Sequence, residues 1–91
     1  MLKLVFEKKF KKDYKRVSRQ GKPMDLLDDI MKLIAKGKKL PEKKQDHPLN
    51  GNWKGARECH IAPDWLLIYY LAEGKVFFSR TGSHSELLEK G

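Results

Sequence analysis

The sequence predicts an α+β domain in which one strand and a two-helix hairpin precede a three-strand antiparallel meander. Three observations carry that prediction. Hydrophobic spacing changes along the chain from period 2 to period 3.6 and back to period 2. Tight turn signals separate the last three apolar runs. The excess charge is confined to the half that reads as helix. With 91 residues, 40% of them hydrophobic and 10% aromatic, the chain has apolar surface for one core, and residues 1–91 read as a single domain. That composition also excludes a chain that stays disordered.

Leu2, Leu4 and Phe6 alternate with Lys3, Val5 and Glu7, the pattern of a short strand with one face on the core. Phe10, Tyr14 and Val17 then recur at i, i+4 and i+7 among lysines and arginines, so a basic helix with a thin apolar stripe follows, capped by Gly21. Pro23 suits the first turn of a second helix. Its Asp25, Asp28 and Asp29 lie near the positive end of the helix dipole and Lys32 and Lys36 near the negative end. Leu26, Leu27, Ile30, Leu33 and Ile34 form its buried stripe and Gly37 stops it. The short link at Gly21 and Lys22 makes the pair a hairpin lying on one face of a sheet.

Residues 38–53 contain Pro41, Pro48, Asn50, Gly51 and Asn52 with few apolar positions, and read as a long ordered loop. A loop of about 15 residues is unusual in a small domain and leans toward function. Strands are expected at 56–61, at 65–71 after Ala62, Pro63 and Asp64, and at 75–80 after Glu73 and Gly74. Both faces of the middle strand are apolar, with Trp65, Leu67, Tyr69 and Leu71 on one and Leu66, Ile68 and Tyr70 on the other. It is therefore central. The tail from Thr81 is a turn with one helical turn begun by Ser83 or Ser85.

Within a net charge of +8, residues 1–44 carry 15 basic and 6 acidic side chains and residues 45–91 carry 5 and 6. Lys8, Lys9, Lys11, Lys12, Lys15 and Arg16 on the first helix are thus expected to face a polyanion, since solubility alone does not require so much charge. The longest apolar run, Trp65 to Ala72, spans eight residues, whereas a membrane-crossing helix needs about 20. Charges at Lys3, Glu7, Lys8 and Lys9 leave no signal-peptide hydrophobic region, so the chain reads as cytoplasmic with no membrane partner. The lone Cys59 excludes an internal disulfide and fits a reducing compartment.

The three histidines, His47, His60 and His84, fall in the neutral half. No histidine or cysteine pair has metal-ligand spacing in the linear sequence, and Cys59 and His60 point to opposite faces of a strand, so no metal and no cofactor are expected. Phosphate-cradling glycine loops and a serine-nucleophile elbow are absent from the sequence. What remains suits phosphodiester cleavage through the RNA's own 2′-hydroxyl, which needs a base, an acid for the leaving 5′-oxygen and cations for the phosphorane. His60 ends one strand, Asp64 opens the next and Arg80 ends the third, so a meander brings them toward one edge of the sheet.

The ordered set Asp46-His47-Pro48-Leu49, Gly51, Trp53-Lys54-Gly55, Arg57, His60, Pro63-Asp64-Trp65, Leu67-Ile68-Tyr69 and Arg80-Thr81-Gly82-Ser83-His84 resembles the YafQ branch of the RelE/ParE toxin superfamily. The match runs from about residue 46 to 85, while the strand and two helices before it agree in pattern more than in residues. The resemblance implies a RelE-like fold and a ribosome-dependent endoribonuclease that cuts messenger RNA in the A site. It also implies an acidic antitoxin encoded next door, and operator DNA bound only through the antitoxin complex. His47, His60, Asp64 and His84 match the family's acid–base set, Arg80 its phosphate-binding arginine and Trp65 its active-site tryptophan. Lys54, Arg57 and Leu88 complete the expected substrate contacts. This chain ends in Leu87-Leu88-Glu89-Lys90-Gly91, where a family member has a terminal phenylalanine.

The expectation is therefore a metal-free toxin ribonuclease with His84 as general acid and Arg80 on the phosphorane. The base is one of His60, His47 and Asp64, and the sequence does not choose between them. The basic half holds ribosomal RNA. The rival readings are a ParE-like gyrase inhibitor and a non-catalytic nucleic-acid-binding module, neither of which needs three titratable histidines.

Overall fold

The computed structural model describes residues 1–87. Strand β1 (Lys3–Phe6) leads into α1 (Lys8–Arg19) and α2 (Met24–Ala35), and a two-residue strand β2 (His47–Pro48) lies between single 3-10 turns at Glu42–Lys44 and Gly51–Trp53. The meander follows as β3 (Arg57–Ala62), β4 (Trp65–Ala72) and β5 (Lys75–Gly82), and the described chain ends in one helical turn, α3 (His84–Leu87). The five strands form one sheet in the order β1-β5-β4-β3-β2, with β4 central as its two apolar faces require. Three of the four pairings are antiparallel, and β1 joins β5 in parallel.

Both helices stop the same way. Gly21 and Gly37 take positive φ of +81° and +72°, where an L side chain is disfavoured. Lys22 N donates to Val17 O and Gly21 N to Ser18 O, while Lys38 N donates to Leu33 O and Gly37 N to Ile34 O. These are paired Schellman bonds, which satisfy the last carbonyls of each helix and turn the chain sharply back. Pro23 caps α2 from the position just before its first residue, one place earlier than its spacing suggests.

The helix hairpin buries Phe10, Val17, Leu27, Ile30 and Ile34 against Cys59, Ile61, Trp65, Leu67, Tyr69, Val76 and Phe78 on one face of the sheet. The other face carries a smaller cluster of Ala56, Leu66, Ile68 and Leu87, flanked by Leu49, Trp53 and Tyr70. β1 is more exposed than its alternation predicts, because it is an edge strand: Leu4 and Phe6 are 42% and 40% exposed, although Phe6 still stacks on Phe10 and Phe78. No described helix is long and apolar enough to cross a membrane.

The seam between α1 and β5 is polar. Asp13, 2% exposed on the buried stripe of α1, accepts hydrogen bonds from Arg80 Nε at 2.6 Å and Nη2 at 3.2 Å, Arg16 Nη1 at 2.7 Å and the Thr81 amide at 3.1 Å. Arg16 in turn reaches Thr81 O and Glu86. Removing one member of a buried ion pair leaves its partners desolvated and unpaired, at a cost of about 3–5 kcal/mol. Because the arginines are partly exposed, Asp13→Ala should lie near the lower bound, about 3 kcal/mol by urea unfolding. A loss below about 0.5 kcal/mol, the ordinary surface range, would show that the seam contributes little.

Candidate active site

The site is built by cross-strand register. His47 pairs with Glu58, Glu58 with Ile68 and Ile68 with Arg80, so the four lie in one row across β2, β3, β4 and β5. Directly opposed residues share a face of a sheet, and this face is the one away from the helix hairpin. His60, opposite Leu66, stands in the next row on the same face. Arg80 reaches it through an irregularity. Ile68 pairs with Arg80 but Tyr69 with Phe78, which leaves Ser79 as an extra residue in β5. Such a bulge re-aims the side chains beyond it. Phe78 points into the main core and Arg80, two residues on, to the other face.

His47 Nε2 lies 3.1 Å from Glu58 Oε1 and its Nδ1 3.0 Å from Pro48 O. His60 Nε2 is 3.9 Å from the same Glu58 oxygen, and the rings of His60 and His84 meet edge to face with centroids 5.8 Å apart. His84 is held by Asp64, whose Oδ1 accepts from the His84 amide at 3.0 Å and lies 3.0 Å from the ring Nδ1. Asp64 occupies the second place of the β3–β4 turn with φ of +55°, a conformation aspartate tolerates better than most residues. Its carboxylate then receives the first amide of α3. The result is a chain of neighbouring groups from His47 through Glu58, His60 and His84 to Asp64, hydrogen-bonded at its two ends and joined at His60 by near and edge-to-face contacts, with Arg80 in the same row as Glu58.

The loop that delivers His47 is fixed from below. Asp46 accepts from Arg57 Nε at 3.1 Å and Tyr69 Oη at 2.8 Å, and Lys44 Nζ donates to Ile61 O. Burial, together with Asp46, drives the Tyr69 hydroxyl well above its ordinary range. Burial also pushes the Cys59 thiol up to about 12, which leaves it a core side chain and no nucleophile. The hydrogen bond to Asp13 holds Arg80 firmly protonated.

Several expected residues have other duties. Trp65 is 2% exposed, with Nε1 donating to Thr81 Oγ1 at 3.0 Å; its ring fills the core and offers no face to a base. Arg57 alternates with Glu58 along β3 and so lies on the opposite face, where it pairs with Asp46. Arg16 is occupied by Asp13, Thr81 and Glu86 and belongs to the seam, unlike the exposed Lys8, Lys9, Lys11, Lys12 and Lys15. Lys54 is exposed just after the Gly51–Trp53 turn. Leu88 lies outside the described residues.

Glu58 and Asp13 are absent from the expected set. Glu58 is two positions before His60 on a strand, a spacing that puts both on one face, and Asp13 interrupts an apolar helical stripe. One group of donors that could hold a metal ion also comes together on this face. His47, Glu58 and His60 each present one ligand atom within 4.8 Å of the others, and Glu58 Oε2 is buried without a hydrogen-bond partner among the described residues. Register brings together donors that linear spacing does not, and two imidazoles with a carboxylate suit a borderline divalent ion such as zinc.

The chain that carries this face, with three histidines, two carboxylates and an anchored arginine on a five-strand sheet, matches a class of small bacterial toxins. The family described as bacterial toxin of type II toxin-antitoxin system, YafQ, matches residues 2–89. The chain is 40% identical over 85 residues, 92% of each chain, to the mRNA interferase toxin YafQ of Escherichia coli strain K12. YafQ from E. coli BL21(DE3) superposes with a TM-score of 0.92 at 36% identity over 97% of this chain and 99% of that one. A metal-bound toxin from Helicobacter pylori gives 0.90 at 41% identity over 97% and 100%. YafQ in the E. coli DinJ–YafQ complex gives 0.88 at 38% over 97% and 99%. The chain belongs to the YafQ toxin family.

The pH dependence of the tail follows from Asp64 and Glu86. The His84 amide and then its ring hold the Asp64 carboxyl below its ordinary value. Glu86 is lowered first by the Ser83 amide. A depressed folded value stabilises above the unfolded pKa and is lost as pH falls through the folded one. The α3 turn should therefore stay docked at neutral pH and be released below about pH 4, near the ordinary carboxylate values. Chemical shifts of the Ser83 and His84 amides should report that release while core amides do not move. A transition above pH 5 would contradict these anchors.

Proposed function

We propose that the chain is an mRNA endoribonuclease, the toxin of a type II pair, which acts in the cytoplasm on messenger RNA in the ribosomal A site. The observation that carries the reading is the clustering of His47, Glu58, His60, His84 and Asp64 on the face that bears Arg80. Family membership supports it, with relatives named mRNA interferase toxin and one crystallised with DinJ. The partners would be the 70S ribosome and an antitoxin complementary to a surface of net charge +8.

In this mechanism Asp64 fixes His84 through Nδ1 and leaves Nε2 to protonate the leaving 5′-oxygen. Both ring nitrogens of His47 face acceptors, so His47 is a positioning residue. The base role then falls to His60, which takes the 2′-hydroxyl proton with the Glu58 carboxylate behind it. Arg80, preorganised by Asp13, offsets the charge that develops on the phosphorane. The internal 2′-oxygen bonds to phosphorus as the bond to the 5′-oxygen breaks, giving a 2′,3′-cyclic phosphate and a 5′-hydroxyl.

A general acid contributes about 10²- to 10⁴-fold in rate. His84→Ala should lose that much single-turnover cleavage on translating ribosomes, with ribosome affinity nearly unchanged, because His84 is exposed in a terminal turn. Full activity in His84→Ala, or products with a 5′-phosphate, would overturn the mechanism. Ribosome binding without cleavage by the unaltered chain would favour a non-catalytic module.

A further inference from the structure

Beside the histidine path, the same face of the sheet holds a groove of about 610 Å³, within the range of small-ligand sites. Tyr70 and Phe77 are directly opposed on β4 and β5 and form its floor. Trp53 closes one side from the Gly51–Trp53 turn, and Lys8 and Lys9 on the first turn of α1 close the other. Arg80 also lines it, so the groove shares a residue with the row that carries His47 and Glu58. Glu7 stands on the rim as its acidic member.

None of the three aromatic side chains is fully buried, unlike Trp65, so ring surface is left for a ligand. The second observation is Ser79, the bulge residue, which also lines the groove. It is 4% exposed, yet its Oγ has no hydrogen-bond partner among the described residues. A buried hydroxyl without a partner is uncommon in a folded protein, and here it belongs to a residue that lines a groove together with an arginine and two lysines. Aromatic rings interleaved with cations are what binds unpaired nucleotides, since bases stack on rings whatever their sequence while cations track the phosphates.

We propose that this groove is a nucleotide subsite, in which an unpaired RNA base stacks among Trp53, Tyr70 and Phe77 while Arg80, Lys8, Lys9 and Ser79 Oγ hold its phosphate. The assignment rests on the ribonuclease reading above and adds a binding position next to the scissile phosphate. Messenger and ribosomal RNA both supply such a nucleotide.

The test uses a 2′-O-methyl RNA hexanucleotide, which has no 2′-hydroxyl to attack and is not cut. Phe77→Thr should weaken its binding roughly 5- to 150-fold, the range for one base stacked on an aromatic side chain. Phe77→Tyr, which keeps the ring, should bind as the unaltered chain does. Trp53→Ala and Trp53→Phe form a second pair, so that a variant that fails to fold does not decide the matter. On translating ribosomes, ring loss should raise KM with kcat little changed. An abasic messenger nucleotide beside the cut that removes the Phe77→Thr penalty assigns the base to messenger RNA, and a penalty that persists assigns it to ribosomal RNA. If the unaltered chain cleaves and the ring-loss variants bind and cleave equally well, the subsite is overturned and the ribonuclease reading stands. Ring-dependent binding with no cleavage by the unaltered chain would have the reverse meaning. Unchanged RNA affinity with weakened antitoxin binding would give the groove to the protein partner and overturn the proposal.

Discussion

One buried carboxylate organises the working face of this protein. Asp13 collects donors from Arg80, Arg16 and the Thr81 amide, and each leads to a different part of the site. Through Arg80 it fixes the cation on the face of the histidines. The Thr81 amide ties α1 to the end of β5, and Arg16 extends the network to Glu86 in α3, the turn that bears His84. A charge this deep is costly unless its lone pairs are filled. Here the donors fill them, and the cost of burial becomes a geometric constraint on residues far apart in sequence.

The second constraint is register. A row of directly opposed residues carries His47, Glu58 and Arg80 across strands that sequence separates by loops, and the Ser79 bulge turns Arg80 onto their face. Charge and chemistry therefore divide along the chain but meet in space. Lys8 and Lys9 at the start of α1 line the same groove as Arg80.

The architecture was legible because each element announces itself locally. Period-2 and period-3.6 spacing, Gly21 and Gly37 as stops, and the Pro63-Asp64 and Glu73-Gly74 turns place β1, the two long helices and the meander strands within a residue or two, whereas β2 falls inside the expected loop. The two apolar faces of residues 65–71 identify the central strand. The parallel seating of β1 was not legible, since edge position and direction depend on how the chain returns. The site was partly legible. His60, Asp64 and Arg80 fall at strand ends, and the motif order from Asp46 to His84 marks the family. The burial of Trp65 and the pairing of Arg57 with Asp46 were not legible, since residue type does not disclose which partners the fold supplies. Glu58 shares a face with His60 by simple alternation, but its meeting with His47 is cross-strand and does not show in linear spacing. The bulge that redirects Arg80 depends on one unpaired residue, and strict alternation gives no hint of it.

The central claim is that Asp13 serves catalysis by holding Arg80, beyond its part in folding. A double-mutant cycle tests it most directly. Single-turnover cleavage on programmed ribosomes is compared for Asp13→Asn, Arg80→Ala and the double variant, each at a temperature where it is folded. The account predicts that Asp13→Asn slows cleavage substantially while ribosome affinity is unchanged, and that it adds little once Arg80 is gone. Losses that simply multiply, or an Asp13→Asn protein that cleaves at the full rate, would contradict it.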